Sequence, residues 1–149
     1  MDATRHEHTL IIETTADALW RSITDPRRTQ MYWYGALNRS TWTPGARWTS
    51  ESETGELFLE GEILEVEAPR RLVHTMHVVH ETGAAAESPS TLTWEITPIG
   101  DACQLRVAHE HLGPATLAYI QGGWEYILSG LKTLLESGEP HKVGTPSAI

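Results

Sequence analysis

Of the eight histidines in the chain, His74 and His109 are the best placed to do chemistry. Successive side chains of a strand alternate between its faces, so His74 goes with Leu72 and Met76, and His109 with Leu105 and Val107. A histidine on an inward apolar face can bind the carbonyl or hydroxyl of a small molecule, or move a proton near neutral pH. The competing reading is a core histidine satisfied by backbone or water. No inward Asp or Glu is visible to orient either ring, which weighs toward binding and leaves both residues only as candidate general acids or bases. Two H-x-H pairs, His6-Glu7-His8 and His109-Glu110-His111, would each put two rings on one strand face. Metal sites need three or four ligands; the spacing supplies no third, so the pairs read as surface histidines and no metal is expected.

Six tryptophans against one phenylalanine are the second signal. Indoles favour positions with one apolar side and one hydrogen-bonding atom, which suits a pocket wall as well as an ordinary core. Trp33, Trp48, Trp94 and Trp124, with Phe58, Met76, Ile120 and Leu128, are the candidate lining, together with His74 and His109. Cys103 has nothing cationic beside it to activate the thiol, and as a lone cysteine it can form no internal disulfide. There is no G-x-S-x-G, phosphate-binding loop, dinucleotide fingerprint or zinc spacing, and no cofactor is expected.

These side chains must be positioned by something mostly β. Residues 6–14 read as a first strand, followed by a change of period in which Ala16, Leu19, Trp20 and Ile23 fall at helical spacing. Thr14 or Thr15 can cap that helix, and a second one starts at Pro26 and stops at Gly35. Six further strands follow over roughly 37–42, 46–52, 56–66, 71–80, 90–98 and 102–110, with short connections that imply antiparallel neighbours. In residues 56–67 the apolar parity switches from Leu57 and Leu59 to Leu64 and Val66 across Gly61, which predicts a bulge or bend there and a curved sheet. Residues 81–89 are small and polar and read as a mobile loop.

The C-terminal segment has Leu117, Ile120, Trp124, Ile127, Leu128, Leu131, Leu134 and Leu135 on one stripe. Between Gly113-Pro114 and Gly138 this predicts one helix of roughly 33 Å. Gly122, Gly123 and Gly130 inside it each cost about 1 kcal/mol relative to Ala, so something should compensate. A long apolar-striped helix can lie across the concave face of a curved sheet, with a cavity where the two part.

Length and composition bound the alternatives. At 149 residues and 40% hydrophobic content the chain is one domain over 1–149, with an ordered core of about 6–138 and a fraying tail over 139–149. The formal charge of −9, without a basic cluster, argues against nucleic acid and against an anionic membrane surface. No membrane-length apolar run or signal-peptide pattern is present, so the expected location is the cytoplasm.

The ordered set "ADALWRSITDP", "MYWYG", "PGARW", "GEILEVEAPRRLVHT", "STLTWEITPIGDACQLRVAHEH" and "GWEYILSGLKTLLESG" resembles the START and birch-pollen-allergen superfamily, often abbreviated SRPBCC. More narrowly it is similar to the branch named for the activator of the ninety-kilodalton heat-shock protein ATPase. The resemblance covers most of residues 9–138 and implies an α+β helix-grip fold: about seven antiparallel strands around a long C-terminal helix, with two short helices after the first strand. It also implies a binder of hydrophobic small molecules, or, in a minority of relatives, a cyclase, dehydratase or hydrolase using the same cavity. The reading is therefore a cavity that binds a small hydrophobic or aromatic molecule. The alternatives are a cavity enzyme with His74 or His109 as acid or base, and a protein-interaction module of co-chaperone type. A homodimer would cover an edge strand.

Overall fold

The computed structural model describes residues 5–138. The expected tail over 139–149 lies outside the described residues. Seven strands form one antiparallel sheet: β1 (His6–Ile12), β2 (Leu37–Arg39), β3 (Arg47–Glu51), β4 (Leu57–Glu67), β5 (Arg71–Val78), β6 (Ser90–Ile99) and β7 (Ala102–Glu110). Their order is β1-β7-β6-β5-β4-β3-β2, so β1 and β2 are the edges. Helices α1 (Ala16–Thr24) and α2 (Pro26–Tyr32) follow β1, as the change of period predicts. The hydroxyl of Thr15 accepts from Ala18 N at 3.1 Å to cap α1. Asp25 accepts from Arg27 N at 2.9 Å to start α2, with Pro26 in its first turn.

The C-terminal helix differs from the expectation. It is two helices, α4 (Pro114–Ile120) and α5 (Gly123–Ser137), separated where Gln121 leaves the helical region with ψ 125° and Gly122 turns left-handed at φ +81°. Two adjacent glycines weaken the helix, and the first can take a left-handed conformation that side chains resist. The long element that crosses the sheet is therefore α5, about 22 Å at 1.5 Å per residue, with Trp124, Ile127, Leu128, Leu131 and Leu134 buried.

Residues 81–89 are more ordered than their composition suggests. Glu81 caps a short helix, α3 (Thr82–Ala85), through Ala84 N at 2.9 Å, and Ala84 is fully buried. The Glu87 carboxylate accepts from Ala115 N at 2.9 Å, Thr116 N at 2.8 Å and Thr116 Oγ1 at 2.8 Å, tying this segment to the start of α4. These bonds hold its carboxyl below the usual carboxylate range. A Cβ on Gly113 would lie 2.4 Å from that carboxylate, so glycine is needed for the contact.

In β4 the expected distortion at Gly61 is present, but the switch of faces falls three residues later. A Cβ on Gly61 would sit 1.9 Å from Thr75 O, and Glu62 N donates to Thr75 Oγ1 at 2.9 Å instead of to backbone. Ile63, fully buried, stays on the face of Leu59, and the register shifts between Ile63 and Glu65, leaving Leu64 as the extra, 43% exposed residue. A second shift, between Ser50 and Glu51, makes Phe58 the extra residue on β4.

The outer face carries a ladder of ion pairs across five strands. Arg5 bonds Glu7 and Glu110, Arg106 bonds Glu7 and Glu95, and Arg71 bonds Glu95 and Glu65. Hydrogen bonds from Arg106 and Arg5 pull Glu7 down to about 2.

Candidate functional site

Period-two alternation on β5, β6 and β7 turns His74, Ser90, Leu92, Trp94, Val107 and His109 inward, and each is buried. Across the strands His74 faces Leu92, and Leu92 faces His109. Above them lie Trp33, at the end of α2, and Trp124, in the first turn of α5.

Each buried histidine is held by a tryptophan. Trp94 Nε1–H donates to His74 Nε2 at 3.1 Å, and His74 Nδ1 lies 2.9 Å from Thr75 O. An indole nitrogen only donates and a carbonyl only accepts, so His74 carries its proton on Nδ1. Trp124 Nε1–H donates to His109 Nδ1 at 3.1 Å, and His109 Nε2 lies 2.7 Å from Ser90 Oγ. Ser90 donates onward to Met76 O at 3.1 Å, which makes His109 Nε2 the donor to Ser90. Both rings are thereby fixed as single neutral tautomers with no free nitrogen.

Protonating either ring would aim an N–H at an indole N–H. Burial lowers His74 to about 4. Burial lowers His109 to about 3, with the neighbouring His74, His6 and His8 adding to the effect. A proton carrier near neutral pH needs a nitrogen that can reach substrate and titrate there, and neither histidine meets either condition in this arrangement.

The indoles form one cluster. The Trp33 ring centre is 5.5 Å from Trp124, 6.1 Å from Trp94 and 6.4 Å from Trp48, while Trp94 and Trp124 meet edge-on at 5.6 Å. Trp48 also covers His74 at 4.5 Å. Beside the cluster is a small apolar void of about 10 Å³, bounded by Trp33, Leu59, Met76, Tyr119, Ile120, Trp124 and Ile127. That is room for about one water molecule. Around it the core between sheet and helix packs these rings with aliphatic side chains such as Leu72, Leu92, Val107 and Leu131.

Tyr119 has a second side: with Glu81, Gly83, Ala115 and Ala118 it also lines an open groove of about 330 Å³ on the surface. Its hydroxyl lies 3.3 Å from His80 Nε2, and His80 Nδ1 lies 3.4 Å from Phe58 O. Tyr119 therefore borders both the void and the surface groove, two residues before the joint between α4 and α5. Burial, with the Glu81 charge, pushes its phenol up to about 12, so it is neutral at physiological pH.

Of the residues singled out from the sequence, Trp33, Met76, Ile120 and Trp124 border the void, and Trp48, His74, Trp94 and His109 form the buried layer around it. Leu128 is buried in the core but does not border the void, and Phe58, displaced by its bulge, packs against His80 at 5.3 Å instead. The H-x-H reading needs two corrections. His111 has φ +62° and is exposed, bonded to Thr91 Oγ1 at 3.2 Å, so it leaves the face of His109. His6 and His8 are half-buried, and the His8 ring is 6.5 Å from Trp124. Among the described residues no three His, Cys, Asp or Glu side chains gather as a metal site. Cys103 is buried, with its thiol pushed up by burial.

Ser90, Leu59 and Ile127 are additions. All three were legible, Ser90 from its even spacing with Leu92 and Trp94, Leu59 from its inward parity, and Ile127 from the apolar stripe. The roles of His80 and Glu87 had no signal in sequence, because their partners are 39 and 28 residues away.

The family model described as Activator of Hsp90 ATPase homolog 1-like protein matches residues 13–136. The chain belongs to that family. With its helix-grip fold it is a member of the START and birch-pollen-allergen superfamily. A search of curated proteins returns no match. Among solved structures, this family member is similar to CalU16 from Micromonospora echinospora, 20% identical with a TM-score of 0.73 over 96% of this chain and 76% of that one. It is similar to PFC0360w, an HSP90 activator from Plasmodium falciparum, 18% identical with a TM-score of 0.74 over 94% and 100%. A third, DynU16, a putative protein in the dynemicin biosynthetic locus, is 20% identical with a TM-score of 0.72 over 92% of this chain and 49% of its own length. At these identities the likeness is one of fold.

Proposed function

We propose that the chain binds a small, flat, apolar molecule between the sheet and α5, admitted past Tyr119. The observation that carries this reading is the apolar void at the meeting of Trp33, Trp124 and Ile127, with a single residue, Tyr119, shared between it and the surface groove. A ligand larger than water needs movement, and the left-handed Gly122 is a joint about which α4 can turn while α5 stays packed. Family membership supports the reading at the level of a ligand-binding fold. The saturated nitrogens of His74 and His109 weigh against proton-transfer catalysis. The internally paired charges of the outer face offer little to a charged protein partner, despite the HSP90 activator among the structural relatives.

Native mass spectrometry of the purified protein, followed by denaturing extraction, tests the proposal. A retained apolar compound, or displacement of a bound aromatic fluorophore, is the expected result. Protein that neither retains a compound nor binds flat aromatic probes would overturn it.

A further inference from the structure

Among the described residues five buried side-chain atoms have no hydrogen-bond partner: His8 Nε2, Ser22 Oγ, and three toward the β2–β3 edge of the sheet, Trp33 Nε1, Asn38 Oδ1 and Ser50 Oγ, of which Trp33 borders the void. Trp33, Asn38 and Ser50 are 3%, 2% and 1% exposed. Buried polar groups are nearly always satisfied, and leaving one bare costs its full desolvation, so three in one region need an explanation.

The strand register brings two of them together. Asn38 on β2 and Ser50 on β3 are direct cross-strand partners, whose side chains leave the sheet on the same face some 5 Å apart at Cβ. They do not bond each other. On its other side Ser50 pairs with Leu59, which borders the void. Two residues along β3, on the same face, Trp48 packs against Trp33, which borders the void as well. The lining of the void itself is apolar, and the β2–β3 pair places its two polar atoms one strand beyond Leu59.

The three atoms define a chemistry. Trp33 Nε1 can only donate, Asn38 Oδ1 can only accept, and the Ser50 hydroxyl can do either. A hydroxyl is the group whose donor and acceptor capacity matches all three: its oxygen can accept from Trp33 and Ser50 while its hydrogen goes to Asn38. A ketone has no hydrogen for Asn38. A carboxylate would bring a charge with no cation to meet it, since the arginines of β2 and β3, Arg39 and Arg47, are exposed and paired with Glu51 and Glu60. We propose that the Trp33–Asn38–Ser50 corner is the polar end of the ligand site and selects a neutral hydroxyl, phenolic or alcoholic, on an otherwise apolar ring system. The inference rests on the cavity reading above and adds the functional group.

A matched set of probes tests it on the intact protein: naphthalene, 1-naphthol and 1-naphthoate, titrated by quenching of tryptophan emission and checked by calorimetry. The expected result is 1-naphthol at least tenfold tighter than naphthalene, with 1-naphthoate the weakest of the three. In Ser50→Ala, which deletes an atom that has no partner to lose, the naphthol-to-naphthalene ratio should fall several-fold. Equal binding of naphthol and naphthalene would overturn the polar end while sparing the cavity, and would mean that the three atoms serve a buried water. Failure of all three probes to bind would overturn both. The probe series needs no variant, so misfolding of a substituted protein cannot hide the answer.

Discussion

Trp94 and His74, twenty residues apart in sequence and on neighbouring strands, are joined by a 3.1 Å bond from the indole N–H to the imidazole Nε2. Trp124 and His109 repeat the arrangement through Nδ1. Each pair places a donor that cannot accept against a nitrogen that must therefore stay bare, so the core holds its histidines neutral by geometry as well as by burial.

This makes stability depend on acid. The unfolded chain titrates its histidines near 6.5, whereas the folded protein holds His74 at about 4 and His109 at about 3. Below 6.5 the unfolded state binds more protons, so the contribution is whole above that pH and is lost as pH falls toward 4 and then 3. Each histidine adds about 1.4 kcal/mol per pH unit across its window. Urea midpoints measured from pH 7.5 to 4.5 should fall steadily below 6.5; a flat profile would mean that the folded protein does not hold these histidines neutral.

Substituting both members of a pair should cost less than the two single substitutions added together. Trp94→Phe leaves His74 Nε2 unsatisfied and opens space in the ring cluster, an expected loss of about 3 kcal/mol. Adding His74→Phe removes the orphaned acceptor, and the double variant should lose less than the sum of the single ones. Chemical denaturation of the four proteins gives the coupling, and strict additivity would deny the bond.

The mobile part of the molecule should be α4. Glu87→Gln keeps the shape but weakens the three bonds that hold its start, and about 1 kcal/mol of local stability should go. Hydrogen exchange should quicken at Ala115 and Thr116 and leave α5 unchanged. Exchange that rises equally in both helices would mean they do not part at Gly122.

Gly61→Ala would force a Cβ to within 1.9 Å of Thr75 O, backbone against backbone. We expect one of the larger single-residue losses in the chain, above about 3 kcal/mol. Gly130→Ala, in the interior of α5, is a comparison in which helix propensity works the other way. Thermal melts of the two variants check the contrast.

Much of this architecture was legible from periodicity, because alternation on β5 to β7 and the apolar stripe of α5 are strong local patterns. Thr15 and Pro26 marked helix starts for the same local reason, whereas α2 ends at Tyr32, three residues before the Gly35 at which the sequence suggests a stop. The break at Gln121-Gly122 was hidden because the stripe runs on through it from Ile120 to Trp124, and the two glycines were priced as a penalty inside one helix. The switch of faces in β4 was assigned to Gly61, which does carry a distortion, although the bulge at Leu64 does the switching. Within the site, His74, His109 and Trp94 could be placed inward by parity and Trp124 by the helical stripe, but the donor-to-acceptor pairing that neutralises the histidines needs two elements in register. The Asn38–Ser50 corner was invisible, since neither residue type marks a pocket until its partners fail to appear.

The outer ion-pair ladder and the inner ring cluster are built on the same strands at alternate positions: Arg71 outside and Leu72 inside, Glu95 outside and Trp94 inside, Arg106 outside and Val107 inside. The two sets of side chains do not touch, because the sheet lies between them. Inward positions can therefore be exchanged to fit a different guest while the lattice that keeps the strands in register is left intact. In this fold, scaffold and selectivity can be inherited, and engineered, separately.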